Sequence, residues 1–382
     1  MTTPRIGLFT FYTGNYGAAL QAFATQYYIR GTLRKECVVV RTRPGVPGET
    51  PFARLILRGE IFRNPIGKLR RRFRRSAPIP ESFRRGITAR TEAFKKFERD
   101  RLILDDNPNR LFREYYRNPP DYDVYLSGSD QVWNPLAFSR CSPVYYLGFA
   151  PEGRRRVSYA SSFAISEVPV RYRREMKRYL TRFDRIAVRE TEGAEIVESL
   201  IGRRPPVVVD PTFLITGDQW RQLAGRSPLI PDGPYALFYR LGKLDYYNAV
   251  KERILTQTGL QPLVIPTRPE DDPEGTGIYG AGPFDLVSLI AHAALVVTDS
   301  FHGAALSINL GTPFYALLRD DPAKKGNMNS RLHSLLTRLT LTDRLILPNS
   351  PLSEITLTPP DPQALPSWRD ASAEYLAAAL RT

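Results

Sequence analysis

The sequence predicts an α/β protein of two successive lobes, each a parallel sheet flanked by helices, facing one another across a cleft. Its 382 residues exceed one typical hydrophobic core. Short apolar runs alternate with segments of helical period in both halves, and the turns between them are polar or contain Gly. Strands separated by helices return in the same direction, so the sheets should be parallel.

Residues 5–11 form the first expected strand, 13–17 a tight loop, 18–34 a helix and 37–41 a second strand. Residues 44–118 break this rhythm. Rich in Pro, Arg and Phe, with amphipathic stretches but no strand signal, they read as a basic helical insertion. Strands resume at 124–126, 156–160 and 185–188, and a helix at 191–201 with a strand at 207–209 completes a lobe spanning 1–209. Asp210-Pro211-Thr212-Phe213-Leu214 reads as a hinge, since proline fixes the backbone behind an acidic residue. The second lobe, 210–350, alternates strands at 235–239, 262–265, 295–297 and 314–317 with helices at 244–256, 285–291 and 303–309. A tail and helix, 351–382, follow. Ligands of open parallel sheets bind beyond the carboxyl ends of the strands, so the loops there should line the cleft.

Lys and Arg outnumber Asp and Glu by 54 to 39, a net charge of +15. Much of the excess lies between Arg54 and Arg101, peaking at Lys68-Leu69-Arg70-Arg71-Arg72-Phe73-Arg74-Arg75. Such a block attracts polyanions, including an anionic membrane face or a phosphorylated carrier; a solvated face of an Arg-biased chain is the plain alternative. No recognition motif accompanies it, so nucleic acid is not an expected partner. No apolar run nears the roughly 18 residues that cross a bilayer, and the N-terminus lacks a secretory pattern. A cytoplasmic protein is expected, at most peripheral to the inner face of the cell membrane. Cys37 and Cys141 lack metal-ligand spacing, as do the three histidines, so reduced thiols and no metal or cofactor are expected.

His302 is the candidate catalytic residue, because it falls between an apolar strand and a helix, where a ligand is expected and where an imidazole can exchange a proton near neutral pH. Asp299 and Ser300 can cap that helix, and Gly303 lets a bound group approach the first free amides. His292 and His333 read as packing or surface residues. Ser129, Asp130, Gln131, Trp133 and Asn134 follow another strand and resemble a sugar-contacting loop, which needs planar apolar faces beside paired donors and acceptors; an Asx turn with a buried Trp fits equally. Asn15 and Tyr16, between Gly14 and Gly17, offer similar contacts, without the glycine spacing of a dinucleotide fingerprint. Cationic candidates for an anion are Arg189 and Arg240, each ending a strand, with Lys324, Lys325 and Arg331.

In order and spacing, Asn15-Tyr16-Gly17-Ala18-Ala19-Leu20-Gln21, Gly128-Ser129-Asp130-Gln131-Val132-Trp133-Asn134, Val188-Arg189-Glu190, Asp210-Pro211-Thr212, Asp299-Ser300-Phe301-His302-Gly303 and Gly311-Thr312-Pro313 resemble the polysaccharide pyruvyltransferase family. The resemblance implies two Rossmann-like lobes arranged as in GT-B glycosyltransferases, with the acceptor on the N-terminal side and the donor on the C-terminal side. It also implies transfer of a pyruvyl group from phosphoenolpyruvate to sugar hydroxyls as a ketal, in cell-surface or exopolysaccharide biosynthesis. Arg189 then falls where the donor binds, His302 is the acid or base, and the acceptor is a glycan or lipid-linked glycan. Some members carry Arg two residues before the histidine, where this chain has Ser300; Arg240, Arg331 or Lys324 with Lys325 could replace it. Residues 324–331 could close over the donor. A GT-B-type glycosyltransferase using a nucleotide sugar, and a non-catalytic sugar-binding protein of polysaccharide assembly, are the alternatives.

Overall fold

A computed structural model describes residues 4–42, 80–106, 112–138, 141–321, 329–348 and 354–381. The first sheet has four strands, β1 (Arg5–Phe9), β2 (Glu36–Val39), β3 (Val124–Ser127) and β4 (Arg155–Ser158), in the order β2-β1-β3-β4. The second has five, β5 (Tyr235–Tyr239), β6 (Gln261–Val264), β7 (Leu295–Thr298), β8 (Phe314–Leu317) and β9 (Leu345–Ile346), in the order β6-β5-β7-β8-β9. Every pairing is parallel, so strand ends of one kind lie along one edge of each sheet. The sequences agree with that topology: β3, β5, β7 and β8 are buried along their whole length, as strands covered by helices on both faces must be.

The first lobe carries α1 (Tyr16–Gly31), α2 (Glu81–Arg101), α3 (Phe112–Arg117), α4 (Pro135–Phe138), α5 (Val170–Leu180) and α6 (Thr191–Ile201). The second carries α7 (Gly217–Ala224), α8 (Tyr246–Thr258), α9 (Pro283–His292), α10 (Phe301–Leu310) and α11 (Ser330–Arg338). A last helix, α12 (Leu365–Ala379), returns to the first lobe, where Trp368 Nε1 donates to Val207 O at 2.8 Å and Ser372 Oγ accepts from Val209 N at 3.0 Å. Arg369 of the same helix donates to Phe213 O and to Asn309 Oδ1 at 2.6 and 2.9 Å, tying it to the hinge and to α10.

One hydrophobic core runs through both lobes. Phe23 of α1 meets Trp220 of α7 and Phe284 of α9 with ring centroids 5.9 and 5.2 Å apart. The two-lobed α/β arrangement matches the expectation, with local differences. Residues 185–188 and 207–209 are not strands; Arg185 makes a single pairing with Val157 of β4, Val188 one with Ser161, and Val207 one with Val188. Pro205 and Pro206 have no N–H with which to extend a ladder there. The second sheet gains β9, two residues too short to show a period.

Of the expected insertion, residues 80–106 and 112–118 are described and carry α2 and α3. The basic run Lys68 to Arg75 lies outside the described residues, as do Lys324, Lys325 and most of the loop expected to close over the donor. Cys37 and Cys141 are buried and form no disulfide with each other. Among the described residues no helix is long and apolar enough to cross a membrane.

Candidate active site

Strand ends and the hinge converge on one buried cluster of charge between the lobes. Asp210 leaves the hinge as the cap of the short 3₁₀ turn Pro211–Phe213, its Oδ1 accepting from Thr212 N and Oγ1 at 3.1 and 2.9 Å. Its other oxygen, Oδ2, accepts from Arg189 Nη1 at 2.8 Å and from Ser129 Oγ at 3.0 Å. His302, on the first turn of α10, places Nε2 3.4 Å from that same oxygen, short of hydrogen-bond geometry. Arg189 Nη2 reaches Asp130 Oδ1 at 3.5 Å, and its guanidinium lies 4.3 Å over the ring of Phe301. Arg331, the second residue of α11, sits 3.7 Å from Asp130 Oδ1. With the Gln131 amide turned to suit its neighbours, Gln131 accepts from both terminal nitrogens of Arg331 at 3.1 Å.

All these groups are buried, which makes their mutual charges decisive. Burial alone would raise the Asp210 carboxyl; His302 and Arg189 outweigh it and hold Asp210 far below the usual carboxylate range. Asp130 is likewise lowered against its burial, by Arg189, His302 and Arg331. Burial and the like charge of Arg189 pull the Arg331 guanidinium down to about 10, still cationic at neutral pH. Glu190 Oε1 accepts from Ser162 Oγ, Phe163 N and Ala164 N, while Oε2 lies 4.0 Å from Arg189 Nε. Three carboxylates thus face two guanidiniums, with the His302 imidazole beside them.

Several residues singled out in the sequence sit elsewhere or serve another purpose. Trp133 is fully buried, stacked on Tyr146 at 5.3 Å with its Nε1 donating to Tyr145 O, so no sugar can reach its face. Asn134 Oδ1 caps α4 by accepting from Leu136 N at 2.9 Å. The expected sugar loop is therefore mostly core and turn, with Ser129, Asp130 and Gln131 turned to the charged cluster. Ser300 Oγ accepts from Gly303 N at 3.3 Å, capping α10 rather than gripping an anion. Gly303 does not open space for a donor, because Thr298 Oγ1 would lie 2.6 Å from a β-carbon there. Arg240 is not in the cluster; its Nε donates to Asp271 at 2.8 Å, and Arg268 binds the same carboxylate oxygen. Asn15 caps α1, its Oδ1 accepting from Ala18 N at 2.8 Å, and the Tyr16 hydroxyl donates across the lobes to Ala281 O at 2.8 Å. His292 and His333 are exposed. Among the described residues no group of three or more His, Cys, Asp or Glu side chains is placed to hold a metal ion.

The model of the polysaccharide pyruvyl transferase family matches residues 15–321, a span that begins at the cap of α1 and includes Arg189, Asp210 and His302. The chain belongs to this family. No curated protein matches the sequence. Among solved structures, the chain is similar to a UDP-GlcNAc 2-epimerase from Neisseria meningitidis bound to UDP-GlcNAc, at 9% identity and TM-score 0.44, covering 98% of this chain and 99% of that one. It is also similar to the E. coli heptosyltransferase WaaC with ADP, at 13% identity and TM-score 0.39, covering 96% and 99%. The GT-B-like reading of this pyruvyl transferase family member rests on its own two parallel sheets and the cleft between them.

Two members of the cluster escaped the sequence reading of this family member. Asp210 looked like hinge punctuation, and only the fold brings its carboxylate to Arg189, Ser129 and His302. Gly17 looked like loop freedom, yet it sits on a helix against His302, where a β-carbon would lie 2.0 Å from Nδ1. The segment Asp210-Pro211-Thr212 was among those that carry the family resemblance, but nothing in the sequence gave its carboxylate a role.

Proposed function

We propose that this family member transfers a pyruvyl group from phosphoenolpyruvate to two hydroxyls of a sugar, forming a ketal and releasing phosphate. The observation that carries the reading is His302: a buried imidazole whose Nε2 has no hydrogen-bond partner and lies beside a carboxylate held ionised. A protonated His302 gives its proton to the methylene carbon of phosphoenolpyruvate, and positive charge develops at the carbon bearing the phosphate. One sugar hydroxyl adds to that carbon, the carbon–oxygen bond to phosphate breaks, and the second hydroxyl closes the ketal. Of the two hydroxyl protons released, one restores His302 and the other leaves with phosphate.

Asp210 holds His302 and Arg189 in place and stabilises the imidazolium. Arg189 has both terminal nitrogens engaged with carboxylates, so its charge organises the site from behind. Arg331, whose terminal nitrogens face the neutral Gln131 amide and stand 3.7 Å from Asp130, is the cation assigned to the donor's phosphate or carboxylate. The acceptor is a glycan or lipid-linked glycan of cell-surface or exopolysaccharide assembly, met on the cytoplasmic side of the membrane.

Calorimetric titration with phosphoenolpyruvate, in the wild type and in Arg331→Gln, tests this. Saturable binding at or below millimolar concentration, weakened about tenfold in the variant, is expected for a lost charge-assisted contact. Absence of binding at millimolar ligand overturns the reading, and binding of a nucleotide sugar instead would put a glycosyltransferase in its place.

A further inference from the structure

The helix α5 carries five cations, Arg171, Arg173, Arg174, Lys177 and Arg178, against one acid, Glu175, in 11 residues. Its buried residues, Tyr172, Met176, Tyr179 and Leu180, recur at helical spacing and so form one face. They belong to a hydrophobic cluster made of first-lobe residues; the cluster that joins the lobes contains none of them. The opposite stripe, Val170, Arg171, Arg174, Lys177 and Arg178, is exposed, and Arg182 continues it past the end of the helix.

Two features set this stripe apart from the other basic helix. The first is that its charge is uncompensated. On α2, Arg84 and Arg85 pair with Glu81, Lys95 with Glu92 and Arg99 with Asp100. Among the described residues no carboxylate pairs with Arg171, Arg174, Lys177, Arg178 or Arg182, and Glu175 is half-buried on the flank. Arg171, Arg174, Arg178 and Arg182 follow one another at three and four residues, so each repels the next, and an anionic partner relieves that repulsion. The heads are also held in place: Arg171 and Arg178 lie over the rings of Tyr172 and Tyr179 at 4.7 and 5.1 Å, and Arg182 donates to Gly148 O at 2.7 Å.

The second feature is apolar surface at both ends of the stripe. Val170 opens the helix 84% exposed, and Tyr116 of α3, 47% exposed, stands at the other end. A β-carbon on Gly148 would lie 2.6 Å from the Tyr116 hydroxyl and 2.7 Å from the Tyr179 ring, so those two tyrosines are neighbours. A bilayer face offers phosphates to a row of cations and, at the same depth, an interface that takes up valine and tyrosine side chains.

We propose that α5 is the surface by which the first lobe docks on an anionic lipid bilayer. Arg171, Arg174, Lys177 and Arg178 meet headgroup phosphates while Val170 and Tyr116 enter the interface. This face is distinct from the run Lys68 to Arg75, where the sequence led us to expect polyanion contact. The docking stands independently of the transfer reading; that it brings the chain to a lipid-linked acceptor rests on that reading.

The test is flotation of the full chain with phosphatidylcholine vesicles, with and without phosphatidylglycerol as a third of the lipid. Binding should require phosphatidylglycerol and weaken as salt is raised. Arg171→Gln, Arg174→Gln and Arg178→Gln together should weaken it at least tenfold, since each charge near such a surface contributes about fivefold. The charge-matched set Arg84→Gln, Arg85→Gln and Arg99→Gln on α2 should bind within about threefold of wild type. Both sets should melt within a few degrees of wild type. The fluorescence of Val170→Trp should shift to the blue on phosphatidylglycerol vesicles and stay unchanged on phosphatidylcholine. No binding to anionic vesicles, equal binding to phosphatidylcholine, equal binding by the α5 set, an equal loss in the α2 set, or no shift from Val170→Trp overturns the proposal. Tighter binding of a DNA duplex through the same arginines overturns it in favour of nucleic acid. Failure of phosphoenolpyruvate to bind overturns the transfer reading alone and leaves the docking face standing.

Discussion

Gly17 and His302, from opposite lobes, are packed so closely that a β-carbon on Gly17 would lie 2.0 Å from Nδ1 of the imidazole. The helix of one lobe is therefore the wall against which the reactive ring of the other is held. Gly17→Ala should displace the imidazole and lower turnover about 100-fold, within the range that general acid catalysis contributes. Overpacking the buried ring should also cost about 1–3 kcal/mol, offset in part by the roughly 1 kcal/mol by which alanine favours a helix over glycine. Turnover and melting temperature, measured together, check this; full activity in the variant would remove Gly17 from the site.

His302→Ala should lower turnover by about 10² to 10⁴. His302 helps hold the buried Asp210 and Asp130 ionised, so the loss in stability should include that electrostatic contribution as well as a modest cavity. Single-turnover kinetics with phosphoenolpyruvate, beside a thermal melt, separate the two effects.

Asp210→Asn should cost stability as well as turnover. It leaves the buried Arg189 without its 2.8 Å carboxylate partner, and breaking such a pair costs about 3–5 kcal/mol. Urea unfolding should show the loss.

Acid should act through the same groups. Asp130, Asp210 and Asp271 are all held below the ordinary aspartate range, so their contribution to stability is complete above about pH 4 and falls away as the pH drops below that value. A melting temperature that does not decline between about pH 4 and pH 2 would contradict these assignments.

Trp133→Leu should destabilise the first lobe by a few kcal/mol, through lost stacking on Tyr146 and the lost bond to Tyr145 O. The KM for acceptor, measured on the folded fraction, should stay within about twofold of wild type. A selective rise in KM would restore Trp133 as a sugar contact.

Most of the fold was legible in the sequence. The apolar runs at 235–239, 295–297 and 314–317 have no other home than a sheet covered on both faces, and the strands stand there. The helix expected at 303–309 stands at Phe301–Leu310, with Ser300 as the cap that the sequence offered. His302 could be singled out because a histidine at a strand-to-helix junction points to the ligand edge of a parallel sheet. What surrounds it could not. Asp210 lies 92 positions from His302 in the chain, and Gly17 lies on the other lobe. Trp133 carried the composition of a sugar loop, and burial decided against it. Local sequence determines period, cap and turn, because those depend on neighbours a few residues apart. Which carboxylate meets which guanidinium, and which glycine leaves room for the imidazole, depends on how the lobes pack, and only the tertiary structure decided it.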